Sequence, residues 1–281
     1  MRRRVDLHAH TVVSDGTLTP ADLVLLARRS GLAAVAVTDH DHLGGLAEAR
    51  AAGEREGVEV VAGVELSVAH PAGDVHLLGY LVDDQDAALL GRLERLRDVR
   101  ARRAHLIVER LQESGVPLTL EDLAREAPAQ GGAVGRPHVA RALVRRGLAS
   151  SIQDAFDRWL ADGRPAAVPK EKLGAREAIA LVHGAGGVAV LAHPVTLPED
   201  AREPLLRELA RLGLDGVEVD YPRHDEALRR RLRALAGELG LVATGGSDFH
   251  GANKPDVALG MVDVDHAVLE SLRARARGRR A

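Results

Sequence analysis

The sequence predicts an α/β fold in which buried strands alternate with amphipathic helices around one helical insertion, and three observations carry that expectation. Short runs rich in Val, Ala and Leu recur between stretches of helical period, the pattern of strands covered on both faces. Between residues 86 and 168 the strand signals stop and helical periodicity continues alone. With 281 residues, 46% of them hydrophobic, and a mean hydropathy of −0.09, the chain has the material for one large barrel with an insertion, or for about two domains.

Taken in order, seven strands are expected at 4–9, 33–38, 58–62, 76–81, 187–192, 216–220 and 241–244. The helix joining the first two has Thr19 as N-cap, Pro20 in its first turn, Leu23, Leu26 and Ala27 on one apolar stripe, and Gly31 as its stop. Further helices at 46–56, 175–183, 203–212 and 226–239 complete the alternation that a barrel or a doubly wound sheet requires. The insertion contributes helices at 86–114, 120–126, 138–146 and 152–160. Its first helix is heavily basic (Arg92, Arg95, Arg97, Arg100, Arg102, Arg103, Arg110), which fits either a solvated face or a surface for an anionic substrate. The Arg-rich segment 273–280 reads as a solvated tail.

Composition removes several kinds of chemistry. There is no Cys, so thiolate catalysis and disulfides are excluded, and any metal must be held by the 13 His and by carboxylates. Lys+Arg 38 against Asp+Glu 41 leaves a net charge of −3, without the global basic field that holds long nucleic acid nonspecifically. Arg2, Arg3 and Arg4 are followed by Asp6, His8 and His10 where a signal peptide needs an apolar stretch, so the chain reads as cytoplasmic, with no membrane segment and no obligate protein partner.

His8 and His10, two apart on the first strand, leave the same side and can reach one ion. Thr38-Asp39-His40-Asp41, Glu65, His193-Pro194 and Ser247-Asp248-Phe249-His250 follow expected strands, while His76 begins one. In α/β barrels the C-terminal strand ends converge on one face, where active sites are built. His8, His10, Asp15, His40, Glu65, His76, His193, Asp248 and His250 make nine candidate ligands, more than one tetrahedral ion can use. Two or three clustered divalent ions are therefore expected, and nitrogen and oxygen donors without sulfur suit Mn, Fe or Zn.

The motifs Asp6-Leu7-His8-Ala9-His10-Thr11, Ser14-Asp15-Gly16-Thr17, Thr38-Asp39-His40-Asp41, Gly63-Val64-Glu65 and Gly246-Ser247-Asp248-Phe249-His250-Gly251 resemble those of the PHP (polymerase and histidinol phosphatase) family of metallophosphoesterases. The resemblance implies a distorted, TIM-like (β/α)7 barrel, here residues 1–85 and 169–281, with 86–168 as an inserted helical cap over the substrate. It also implies a trinuclear site: one ion on His8, His10, Glu65 and Asp248, a second sharing Glu65 with His76 and His193, a third on Asp15, His40 and His250. Asp248, His193 and Glu65 would form its catalytic centre, and Asp39 would orient a ligand.

Gly135-Arg136-Pro137-His138-Val139-Ala140, Ala155-Phe156 and Pro165-Ala166-Ala167-Val168-Pro169-Lys170 resemble the branch acting on nucleotides and short RNA. Val13 and Ala167 depart from it, standing where the family commonly carries an aromatic residue and Tyr. In this reading Arg136, Arg103 and Lys170 hold phosphate oxygens, and His138 starts a helix. Clustered cations would neutralise the phosphate and lower the pKa of a bridging water to about 7, giving a hydroxide for in-line attack on phosphorus. The expected activity is removal of the 3′-phosphate from nucleoside 3′,5′-bisphosphates, with release of 5′-nucleotides from short RNA as a related reaction. A histidinol-phosphate phosphatase and a noncatalytic accessory module are the alternatives.

Overall fold

In a computed structural model, residues 3–127, 134–169 and 172–280 are described. The strands are β1 (Arg4–Asp6), β2 (Leu32–Val37), β3 (Glu59–His70), β4 (Gly73–Tyr80), β5 (Leu173–Gly174), β6 (Val188–Leu191), β7 (Gly216–Asp220), β8 (Val242–Gly245) and β9 (Val264–Asp265). Their order across the sheet is β8-β7-β6-β4-β3-β2-β1-β9, with β5 added to β3. β1, β2 and β3 run parallel, as do β6, β7 and β8, whereas β4 is antiparallel to both neighbours.

The two ends of this sheet meet. Beyond β1 and β8, Ala9 bridges Phe249; His10 N–H donates to Phe249 O at 2.9 Å and Phe249 N–H to His8 O at 3.3 Å. The sheet thus rolls into a nearly closed barrel whose wall is the seven expected strands, with β4 reversed. The main difference in their ends is β3, which was expected to stop at 62 but continues to His70 because the β3–β4 hairpin pairs residue by residue from Gly63↔Tyr80 to His70↔Gly73.

The helices are α1 (Pro20–Arg29), α2 (Leu46–Glu56), α3 (Ala87–Glu113), α4 (Leu120–Ala124), α5 (Arg136–Arg145), α6 (Ile152–Ala155) running into a π turn (Phe156–Leu160), α7 (Ala175–Gly184), α8 (Glu199–Arg211), α9 (Glu226–Glu238) and α10 (Ala267–Arg280). Thr19 caps α1 by accepting from Asp22 N–H. The segment 273–280 is not the solvated tail expected from its arginines. It is the second half of α10, whose Leu269, Leu272 and Ala276 are buried, while Arg273 pairs with Glu59 and Arg279 with the buried Asp215. An apolar stripe at helical spacing is hidden there among basic residues.

Three cores hold the molecule together. One lies between the outer barrel wall and helices α1, α2 and α7–α9, and includes Leu89, Leu93 and Leu96 of α3. A second fills the barrel interior with alternate strand residues such as Val5, Leu7, Ala34, Ala36 and Tyr80, closed by Leu269 and Leu272 of α10. The third is built from residues between Ala104 and Val168 alone, including Leu111, Val139, Leu143 and Leu160. α3 therefore joins barrel and cap through a single continuous helix, one half in each core. Among the described residues no helix is long and apolar enough to cross a membrane.

Candidate metal centre

The rim of the barrel gathers all nine sequence-predicted ligands. β1 leads into His8 and His10; the turn after them brings Asp15 round, with Ser14 N–H and Gly16 N–H both donating to Thr11 O (3.1 and 2.9 Å). A Cβ on Gly16 would stand 2.4 Å from His10 O, which explains the glycine of the Ser14-Asp15-Gly16 motif. His40 follows β2. Glu65 lies within the extended β3, not after a strand end as expected, and bridges His40 as a neighbour. His76 lies within β4, and because β4 runs antiparallel its early residues reach the rim where the parallel strands end. His193 follows β6 with φ 28°, and Asp248 follows β8 with φ 56°. Left-handed backbone at two non-glycine residues costs about 1–3 kcal/mol each and is held by its surroundings.

Three donor groups result: His8, His10, Glu65 and Asp248; Glu65, His76 and His193; and His10, Asp15, His40 and His250. They match the three sets implied by the resemblance, with His10 added to the third. In the first, His8 Nε2 and His10 Nε2 are 3.2 Å apart, each lies 3.2 and 3.0 Å from Glu65 Oε2, and both are 3.5 Å from Asp248 Oδ1. A tetrahedral ion with ligand distances of about 2.0–2.1 Å places its donors about 3.3 Å apart, so these residues fit a cation. In the second, Glu65 Oε1 is 2.7 Å from His76 Nδ1 and 3.0 Å from His193 Nε2. In the third, Asp15 Oδ1 is 3.4 Å from His250 Nε2, and Asp15 Oδ2 is 3.8 Å from His40 Nε2.

At His8 and His250 the ring nitrogen facing away from these clusters is anchored. His8 Nδ1 lies 3.2 Å from Glu218 Oε1, and His250 Nδ1 lies 2.8 Å from the Asp248 carbonyl. Donation of Nδ1–H to those oxygens leaves Nε2 as the lone pair. His10 Nδ1 meets Ser14 Oγ at 3.3 Å, and Ser14 donates to Asp39 Oδ1 at 2.6 Å, so Asp39 reaches His10 through a hydroxyl relay. Asp248 turns its second oxygen to Tyr221 OH (3.0 Å) and Lys254 Nζ (2.6 Å).

Burial alone would raise these carboxyls, but the basic side chains around them outweigh it. His250, His40 and His10 hold Asp15 well below the usual range, His40, His76 and His8 do the same for Glu65, and His8, Lys254 and His250 for Asp248. The site is therefore a packed set of ionised carboxylates and imidazoles.

Above it sits a cavity of about 170 Å³ lined by Asp15, His40, His76, Arg100, Arg103, Arg136, Phe156 and Lys172, opening into a cleft of about 600 Å³ that shares Arg103, Arg136 and Lys172 and adds Arg164 and Ala167. Arg136 is held by Asp162 (3.1 Å) beside the Phe156 ring, and Arg103 donates Nε–H to Val168 O at 2.7 Å. Lys170 lies outside the described residues. His138 accepts from Gly135 N–H at 3.1 Å, the helix-start role expected of it. Sequence reasoning missed Glu218, Tyr221, Lys254 and Lys172. For Glu218 a signal existed: it is an acid in the middle of a strand flanked by buried valines.

The PHP domain model matches residues 6–161. The chain is 39% identical over 249 residues to the 5′-3′ exoribonuclease Rnm of Escherichia coli (strain K12), covering 87% of this chain and 84% of that one. It is 34% identical over 250 residues to the 3′,5′-nucleoside bisphosphate phosphatase of Chromobacterium violaceum, covering 88% and 87%. A crystal structure from Bifidobacterium adolescentis, described as a metal-dependent phosphoesterase, superposes with a TM-score of 0.89 at 35% identity, covering 97% of this chain and 96% of that one.

Proposed function

This chain belongs to the PHP family and is a metal-dependent phosphoesterase, and from that premise we propose that it removes the 3′-phosphate from nucleoside 3′,5′-bisphosphates and releases 5′-nucleotides from short RNA. One observation carries the choice of substrate: Arg103 and Arg136 line the same cavity as Asp15, His40 and His76. A ligand with one phosphate at the histidine cluster meets a second cationic subsite beside it, which is the charge pattern of a bisphosphate or of an RNA 5′ end. Histidinol phosphate has one phosphate and uses only half of that arrangement, and two relatives that cover most of the chain are named for RNA and for nucleoside bisphosphate substrates.

Two or three divalent ions, Mn, Fe or Zn, fit the nine donors, with His8, His10, Glu65 and Asp248 holding one, Glu65, His76 and His193 another, and Asp15, His40, His250 and His10 the third. Bound there, they supply phosphate neutralisation and acidification of water. The chain's own residues do the rest. Asp248, His193 and Glu65 fix the reacting centre through strained backbone and buried ion pairs. Arg103 and Arg136 orient the nonreacting phosphate, Lys172 and Lys170 add positive charge on the same stretch of chain, and the cap, residues 86–168, narrows the approach and excludes water.

The test compares phosphate or nucleotide release, with Mn added, from a nucleoside 3′,5′-bisphosphate, a short 5′-phosphorylated RNA and histidinol phosphate. Release from the first two and little from the third is expected. Turnover of histidinol phosphate alone overturns the proposal.

A further inference from the structure

β7 carries a carboxylate whose contact with His8 is only half of its surroundings. Glu218 is fully buried between Val217 and Val219, and among the described residues its one ion-pair partner is His8. It belongs to none of the three donor groups. A buried carboxylate is costly unless hydrogen bonds compensate it, and each Glu218 oxygen has one donor: Oε1 faces His8 Nδ1 at 3.2 Å, and Oε2 accepts from His193 N–H at 2.8 Å. Those donors belong to ligands from different groups and different strand ends, and His193 is the residue whose φ of 28° needs holding.

We propose that Glu218 is a positioning residue that sets the metal affinity of two donor groups at once, by fixing the His8 proton on Nδ1 and by tying down the strained backbone at His193. This rests on the reading of the rim as a metal site but not on the identity of the substrate. The chemistry requires a carboxylate. The site presents two donors, His8 Nδ1–H and His193 N–H, and an amide offers one acceptor oxygen and an NH2 group. A glutamine there either opposes donor to donor at His193 or forces the His8 proton onto Nε2, the nitrogen that faces Glu65 and His10.

Glu218→Gln is therefore expected to fold, by circular dichroism, and to bind Mn about 10–100-fold more weakly than wild type in a titration of the metal-stripped protein. At saturating Mn its KM for a nucleoside bisphosphate stays within about twofold of wild type, because no substrate contact has changed. A folded Glu218→Gln protein that titrates at the wild-type midpoint overturns the proposal, as does a wild-type protein that binds neither Mn nor Zn. If the variant does not fold, nitrogen NMR of the His8 ring in Zn-loaded wild type decides: a proton on Nδ1 supports the assignment, and a proton on Nε2 sinks it. Neither readout uses substrate, so a protein that passes both yet hydrolyses no nucleotide overturns the proposed function and leaves the role of Glu218 standing.

Discussion

The barrel rim and the cap above it handle charge in opposite ways. At the rim, six of the nine carboxylates and imidazoles are buried, and strands and tight turns place them, with close backbone approach at Gly16 and left-handed backbone at His193 and Asp248. In the cap, positive charge is delivered by long side chains from helices: the buried Arg103 of α3 reaches Val168 O, and Arg136 at the start of α5 leans on Asp162, which is 83% exposed. The cap also has a hydrophobic core of its own. In the proposed function, reactive geometry thus resides in the barrel backbone, while recognition would reside in side chains that can change without moving a ligand.

The largest effects come from breaking the rim. Asp248→Ala and His193→Ala should each bring turnover below detection and lower metal stoichiometry, with the circular dichroism spectrum retained; full metal content with lost activity would place these residues in another role. Damage confined to the cap core should do the reverse. Leu143→Ala, fully buried in α5, should cost about 2–5 kcal/mol of cap stability while metal content holds, read by fluorescence of Trp159, the chain's one tryptophan, which packs in the cap. Loss of metal in that variant would mean that cap and rim are not separable.

Acid sharpens the same contrast. Burial, with Arg141 nearby, pushes the His138 imidazole down to about 4, so its neutral form stabilises the folded cap. That contribution, on the order of 3 kcal/mol, is complete above pH 6.5 and is lost as pH falls from there towards 4. His138→Gln keeps an acceptor for Gly135 N–H, so its cap should lose less stability than wild type across that interval in urea unfolding followed by Trp159. Identical pH dependence in the two proteins would remove His138 as the cause. Smallest of the four, Arg136→Ala should leave metal content unchanged and lower kcat/KM by about 10–100-fold, the worth of one charge-assisted hydrogen bond of about 1.5–3 kcal/mol.

Much of the rim is legible in sequence because its ligands sit in short motifs with glycine or proline beside them, as in Ser14-Asp15-Gly16 and His193-Pro194. The reversal of β4 is not, since strand direction leaves no local trace, and without it His76 stands at the wrong end of its strand. Glu218 escaped because its partners are 210 and 25 residues away in the chain. The helical cap is legible from periodicity, but its meeting with the barrel along α3 is not, because Leu96 and Ala104 continue one helical pattern while packing into different cores. α10 was obscured by composition, its apolar stripe outnumbered by arginines.

The last seam of the barrel is sewn by ligand segments themselves, His8 to His10 against Asp248 to His250. Closure and cation binding would then be one equilibrium: an ion held by His8, His10 and Asp248 would bind only the closed form. Above its dissociation constant, each tenfold rise in free metal should then add about 1.4 kcal/mol to the stability of the whole barrel, so the melting temperature becomes a meter of metal supply.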